Sequence, residues 1–297
     1  MDFSKLNGKI YFNNKFINNK NAKIHVLSHS LHFATAIFEG IGVYKGEPLF
    51  LKEHLKRLYR SANLMKLNID KSIKQLENIS RKLVKINNIK NGYIRPIIFR
   101  SSHSMSPETK SCKTIVCIAS WEWSKLFSKD EGISLNLSKY PRLNNKIYPI
   151  EAKSSGSYQT SVISRIDSDK KKFDDCLMLD LKKNIAESSA CNIFWIKRNV
   201  IYTPSEHSIL NGITRKSVIK ICKKFRIKVK VGNYKINHIL KAENVFLTGT
   251  AAEIQTVRKI NRTKFPKDNI LLKFIKNKYD IIKKKCPNEI KDIEKLY

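Results

Sequence analysis

Several things are scarce in this chain of 297 residues, and each scarcity excludes something. Acidic side chains number 25 against 58 Lys and Arg, so the formal net charge is +33. No uninterrupted apolar run reaches the roughly 18 residues that a membrane-spanning helix requires. The opening stretch, MDFSKLNGKIYFNNKF, lacks the apolar core of a signal peptide. The six cysteines, Cys112, Cys117, Cys176, Cys191, Cys222 and Cys286, form no CxxC pair and have no His at metal-ligand spacing. They read as free buried thiols, which predicts no metal and a reducing, cytoplasmic setting. Internal repeats and low-complexity tails are absent as well.

What is present points to a folded chain. Hydrophobic residues make up 41% and aromatics 9%, enough with periodic apolar segments to exclude disorder. The length suits one large domain or two ordinary ones. A charge of this size attracts nucleic acid or acidic membrane without specific design. Here, however, Lys outnumbers Arg and is spread from Lys5 to Lys295, whereas phosphate and base recognition favours clustered Arg. A solvated basic surface is the expectation, with no specific nucleic acid and no membrane as partner.

Along the chain, KIYFN, KIHVL, IFEGIGVY and PLFL read as short strands between Asn, Gly and Lys turns. The period then changes: Leu55, Leu58, Tyr59, Ala62 and Met65 predict one helix, and Ile73, Leu76, Ile79, Leu83 and Val84 a second. YIRPIIF and KTIVCIASW follow as strands. The polar stretch SKLFSKDEG predicts a linker, with a small N-terminal α+β domain over 1–126, an interdomain loop over 127–132 and a larger α/β domain over 133–297. In the second half ISLNL, CLMLD, NIFWIK, VIYT, IKVKV and NVFLTG read as strands, and Thr214 to Phe225 and Lys267 to Lys284 as helices. The fold class is therefore α+β, built of two mixed domains.

A few residues can carry chemistry. Lys153, in EAKSSGSY, has only small neighbours; an amine attacks carbonyls when burial or nearby positive charge keeps it neutral, although alone it reads as one more surface Lys. Glu187 and Asn192, in NIAESSACNIF, sit before an apolar strand, where a carboxylate can face a protonated ring nitrogen or simply end a turn. Asn211 and Gly212 precede a helix beginning at Thr214, and LTGTAAEI offers Thr248, Gly249 and Thr250 after a strand; helix starts and close-approaching amides bind anions, though most bind only water. Arg57 lies at the margin of its helix's apolar face, while Arg60 projects away. His25, His29 and His32 have no carboxylate or Cys at ligand spacing and read as structural.

Taken in order, these pieces resemble a known family. E-x-S-x-x-N-I-F from Glu187 to Phe194, then I-x-T ending at Thr203, then L-x-G-I-x-R from Leu210 to Arg215, resembles the class IV aminotransferase signature. SHSLHFATAIFEGIGVY, EHLKRLYRSA, YIRPIIF, AKSSGSY and LTGTAAEI extend the likeness from about residue 8 to residue 258, most closely to branched-chain amino-acid aminotransferases.

The resemblance implies the fold-type IV architecture, in which pyridoxal 5'-phosphate (PLP) lies between two domains. It implies that Lys153 forms the Schiff base and moves the proton, that Glu187 pairs with the pyridine nitrogen, and that Tyr158 bonds the ring hydroxyl. The phosphate falls to Arg57, the backbone at Ile213 and Thr214, and Gly249 with Thr250. For substrate, the amides of Thr250 and Ala251 with Tyr93 resemble the α-carboxylate site; Phe38, Gly40 and Trp123 resemble an apolar wall; Arg95 would meet the distal carboxylate of glutamate. The implied partners are amino acids and 2-oxo acids, namely leucine, isoleucine or valine with 2-oxoglutarate, and a second copy of the chain in a homo-oligomer, dimer or hexamer.

Some positions depart from that pattern. Phe33 stands where Tyr is common, Leu126 and Phe127 replace an expected Tyr, and Ser188, Ser189 and Cys191 replace a Gly-rich, Glu-containing stretch. D-amino-acid aminotransferases and aminodeoxychorismate lyases share the fold and the PLP residues. D-specific relatives carry His two residues after the sheet Arg, and that position here is Ile97. A basic nucleic-acid-binding protein is the reading from another class, and an inactive scaffold is opposed by intact Lys153 and Glu187.

Overall fold

The computed structural model describes residues 2–127 and 129–297; Ser128, within the expected interdomain loop, lies outside them. The chain forms two compact units, one of Met1–Ser124, Ala152–Gly156 and Cys286–Glu289, the other of Lys125–Glu151, Ser157–Lys285 and Ile290–Tyr297.

The first unit contains β1 (Lys9–Phe12), β2 (Lys15–Asn18), α1 (His29–Phe33), β3 (Ile37–Phe38), β4 (Ile41–Tyr44), β5 (Glu47–Pro48), α2 (Leu51–Leu64), α3 (Ile73–Ile86), β6 (Gly92–Arg100) and β7 (Thr114–Glu122). Its sheet runs β2-β1-β7-β6-β4-β5, with β3 also on β6, and every pairing is antiparallel. Asn13 and Asn14, with φ of 42° and 74°, make the two-residue turn between β1 and β2, a conformation Asn tolerates. Leu51, Leu55, Leu58 and Ala62 of α2 are buried, joining Leu76, Leu83 and Val84 of α3 against Ile94, Ile98, Val116 and Ile118 of the sheet. Ser72 and Gln75 cap α3 reciprocally.

Two distant stretches belong to this unit because their backbones bond into it. Phe38 N donates to Lys153 O at 3.0 Å and Ser155 N to Ala36 O at 2.8 Å. Phe50 N donates to Pro287 O at 2.8 Å, and Lys52 N to Asn288 Oδ1 at 3.1 Å. The expected boundaries, each a continuous stretch of chain, contain no such returns.

The second unit contains β8 (Ile133–Leu137), α4 (Gln159–Lys170), β9 (Asp175–Leu179), β10 (Ile185–Ser188), β11 (Asn192–Lys197), β12 (Val200–Pro204), α5 (Ile213–Lys224), β13 (Val229–Gly232), α6 (Ile236–Leu240), β14 (Asn244–Gly249), β15 (Glu253–Ile260), β16 (Thr263–Lys264) and α7 (Ile270–Lys285). The strands run β10-β9-β8-β15-β14-β11-β12-β13, and β10 also pairs β11, so six of them close into a ring. Ile133, Leu135, Leu177, Ile193, Trp195, Val245, Leu247 and Val257 form its core.

Three differences from the sequence reading have physical causes. KIHVL pairs with nothing, and Val26 is 71% exposed. PLFL contributes only Pro48 to a strand, because Leu51 already begins α2. Helix α4 has no apolar periodicity facing the core: Ser161, Ser164 and Ser168 are buried, while Val162, Ile163 and Ile166 are exposed. The buried Ser164 and Ser168 hydroxyls are satisfied, Ser164 Oγ donating to Thr160 O at 2.7 Å and Ser168 Oγ to Ser164 O at 3.0 Å.

Candidate active site

In the first unit the expected residues lie on β3, the link from β3 to β4, α2, β6, the end of β7 and the strand-like return at Lys153. Lys153 is half-buried; its backbone N donates to Ser61 Oγ on α2 at 2.9 Å, and its Nζ lies 4.8 Å from the Phe38 ring centre. Phe38, Tyr93, Arg95 and Trp123 come together. The Arg95 guanidinium stacks 4.8 Å from the Phe38 ring and 5.6 Å from the Tyr93 ring, and Tyr93 and Trp123 meet edge to face at 5.0 Å. Tyr93 and Arg95 share a strand face because they are two residues apart on β6. Gly40 is needed here, since a Cβ at that position would lie 1.7 Å from the Tyr93 hydroxyl. Arg95 Nε and Trp121 Nε1 are buried without hydrogen-bond partners.

Arg57 is held by a residue that sequence reasoning missed. Glu39 is fully buried, and it accepts from Arg57 Nε at 2.6 Å, Arg57 Nη2 at 2.9 Å and His54 Nδ1 at 2.7 Å. Burial opposes ionisation of Glu39, but Arg57 and His54 outweigh it and hold the carboxyl well below the usual range. Burial pushes His54 below its ordinary value, partly offset by Glu39. The acidic letter in FEG and the His three before Arg57 were the available signals.

In the second unit Glu187 is buried on β10. Arg142, another residue the sequence reading passed over, donates from Nε to Glu187 Oε1 at 2.7 Å. Its Nη1 donates to Ser157 O, and its guanidinium lies 5.9 Å from the Tyr158 ring centre, so one side chain ties Glu187 to the segment carrying Tyr158. Asn192 Nδ2 donates to Glu187 Oε2 at 2.9 Å and to Leu210 O at 2.8 Å, and Leu210 N to Glu187 Oε1 at 3.3 Å.

The spaced signature therefore marks one hydrogen-bonded body. Thr203 Oγ1 donates to Ile193 O at 3.0 Å, and buried Arg215 reaches Thr203 Oγ1 at 3.3 Å, Pro204 O at 2.9 Å and Asn211 Oδ1 at 3.1 Å. Arg215 thus ties the 203–211 segment to α5. Gly212 precedes α5 with no side-chain cap, and a Cβ there would lie 2.1 Å from Asn192 Oδ1. Ile213 and Thr214 are buried at the helix start. Gly249 ends β14, where a Cβ would press on Cys191 Sγ at 3.0 Å; Thr250 and Ala251 follow in the turn, half-buried. Ser188 and Cys191 close the β10–β11 hairpin, Ser188 N donating to Cys191 O at 2.8 Å. None of the six cysteines is in a disulfide, and burial pushes the Cys117 and Cys222 thiols up to about 12.

The profile of the amino-transferase class IV family matches residues 36–260. The chain belongs to that family. Relatives within it include a protein of Rickettsia typhi named probable branched-chain-amino-acid aminotransferase, 35% identical over 252 residues that span 85% of this chain and 87% of the relative. The branched-chain-amino-acid aminotransferase of Escherichia coli is 33% identical over 261 residues, 85% of this chain and 84% of the relative. Its crystal structure superposes with a TM-score of 0.89, covering 93% of this chain and 94% of that one at 30% identity. The branched-chain aminotransferase of the archaeon Thermoproteus uzoniensis, solved with norvaline, superposes with a TM-score of 0.90 at 28% identity, covering 94% of this chain and 96% of that one. Family membership together with these named relatives and their structures makes this chain an aminotransferase with the expected α+β fold. Among the described residues no helix is long and apolar enough to cross a membrane.

Proposed function

We propose that this enzyme exchanges amino groups between L-leucine, L-isoleucine or L-valine and 2-oxoglutarate with PLP as cofactor. The observation that carries the reading is the buried carboxylate of Glu187, fixed by Arg142, Asn192 and the Leu210 amide, a partner suited to a protonated pyridine nitrogen. The other donors fit the same group: an amine among small residues at Lys153, a phenol at Tyr158, an uncapped helix start at Ile213, and a buried Thr248 hydroxyl with no hydrogen-bond partner.

When bound, PLP supplies an aldehyde that accepts the amino group and a ring that absorbs the electron pair left at the substrate Cα. Lys153 Nζ would hold the cofactor at its aldehyde carbon and would move a proton at the substrate Cα, as base and then as acid. Glu187 keeps the ring nitrogen protonated, and Tyr158 bonds the ring hydroxyl. Arg57, the amides of Ile213 and Thr214, Gly249 and Thr250 hold the phosphate. The amides of Thr250 and Ala251, with Tyr93, receive the α-carboxylate.

Phe38, Gly40 and Trp123 form the apolar wall for a branched side chain, and Arg95 at its edge serves the second carboxylate of glutamate. The names of the relatives support the branched-chain substrate class. Self-association is proposed as well, supported by the outward Val162, Ile163 and Ile166 of α4, an apolar face of the kind that marks contacts.

The deciding experiment is the visible spectrum of the protein with PLP, before and after L-leucine, beside Lys153→Ala. A yellow band that L-leucine bleaches and that the variant does not form by itself is the expected result. Absence of the band in the parent protein sinks the cofactor reading. Bleaching by D-alanine but not L-leucine moves the specificity to the D-amino-acid class.

A further inference from the structure

The hairpin joining β14 to β15 turns through Thr250, Ala251 and Ala252, with Gly249 paired to Glu253. Glu253 has φ of 53°. This is left-handed backbone at the first residue of β15, a conformation that glycine takes without penalty. A Cβ there is disfavoured, yet the chain puts a long acidic side chain in the position. That side chain is nearly buried, its carboxylate 2.7 Å from Lys283 Nζ on α7 and 3.4 Å from Lys125 Nζ. On the same turn Ala251 O accepts from Leu126 N at 2.8 Å, and Ala252 is buried. The turn is thus pinned at two points, one of which the strained residue itself supplies.

We propose that Glu253 is a positioning residue, whose carboxylate, clamped by Lys283 and Lys125, fixes the Thr250–Ala252 turn so that its backbone N–H groups present preset donors to the substrate α-carboxylate. Glu253 acts through the backbone and does not touch substrate. The inference rests on the assignment of Thr250 and Ala251 to the α-carboxylate under Proposed function. Its physical reason is preorganisation: two amides recognise a carboxylate tightly only if they do not have to be ordered at each binding event. The Cβ strain is tolerated because glycine, the relaxed choice, has no carboxylate to clamp.

The test uses the full chain with PLP, comparing Glu253→Gly, Glu253→Gln and Lys283→Met with the parent. Amide hydrogen exchange at Thr250–Ala252 should rise about tenfold or more in all three, and KM for L-leucine about tenfold, equivalent to about 1.4 kcal/mol, with kcat within about threefold. Glu253→Gln should melt below Glu253→Gly, since glutamine keeps the left-handed Cβ and loses the clamp while glycine loses both. Unchanged exchange and KM in Glu253→Gly, or a glycine variant melting below the glutamine one, would overturn the proposal. If the parent protein does not turn over L-leucine, the functional reading falls while exchange and melting order still decide the clamp.

Discussion

Arg142 Nε donates to Glu187 Oε1 across 2.7 Å, with both side chains buried. The same guanidinium bonds the carbonyl of Ser157, so one side chain holds both the carboxylate and the segment carrying Tyr158. Arg142→Met leaves the Glu187 carboxylate without its counter-charge, and breaking a buried pair in this way costs about 3–5 kcal/mol. Arg142→Lys keeps the charge but has no planar fork to reach both partners. Melting temperature and PLP affinity should fall in the order parent, Lys, Met. A methionine variant that melts and binds PLP like the parent would show the pair to be incidental.

The Glu39–His54–Arg57 cluster sets an acid limit on stability. Both Glu39 and His54 have folded pKa values below their unfolded ones, so in acid the unfolded chain binds protons more readily and stability is lost as pH falls. His54 contributes first, from about pH 6.5 downward, and Glu39 only below about pH 4.5. Thermal melts should therefore drop between about pH 7 and pH 5, and His54→Asn, which keeps an N–H for Glu39, should flatten that part of the profile. An identical slope in the variant assigns the loss to other groups.

Gly212 has no room for a methyl group. Gly212→Ala drives a Cβ against Asn192 Oδ1, and Asn192 carries the bonds to Glu187 and Leu210. Overpacking of this kind costs about 1–3 kcal/mol, and PLP affinity should weaken with it. Gly249→Ala, whose nearest neighbour is the Cys191 sulfur at 3.0 Å, should cost less. Chemical denaturation gives both values, and the reverse order would count against the rigidity of the Asn192 bridge.

Arg95 should separate the two substrate types. Stacked on Phe38 and Tyr93, it offers a charge only where a second carboxylate arrives, and a hydrogen bond to a charged group contributes about 1.5–3 kcal/mol. Arg95→Gln is expected to raise KM for 2-oxoglutarate about 10- to 100-fold while KM for L-leucine stays within about threefold. Equal effects on both substrates would remove Arg95 from the specificity role.

Part of the candidate site was legible in the sequence because its residues occupy spaced, local motifs. Glu187, Asn192, Thr203, Leu210 and Arg215 are separated by strands and turns of fixed length, and the structure joins them in one hydrogen-bonded body. Arg142, Glu39, His54 and Glu253 were not singled out. Each acts through a partner distant along the chain, Arg142 across 45 positions and Lys283 to Glu253 across 30, and no periodicity reports such a pairing.

By itself the sequence determined the family, the α+β class, helices α2, α3, α5 and α7 and strands such as β6 and β7, because apolar spacing and ordered motifs are local properties of the chain. Only the tertiary structure decided that α4 is a helix with serines inside, since hydroxyls bonded within the helix satisfy burial without an apolar stripe. Only it decided that Val26 and its neighbours form no strand, because a strand exists by its pairing and these residues have none. Tertiary structure likewise carried Ala152–Gly156, with Lys153, and Cys286–Glu289 into the first unit. Their backbone N–H and C=O groups bond there, and a buried polar backbone goes where its partners are.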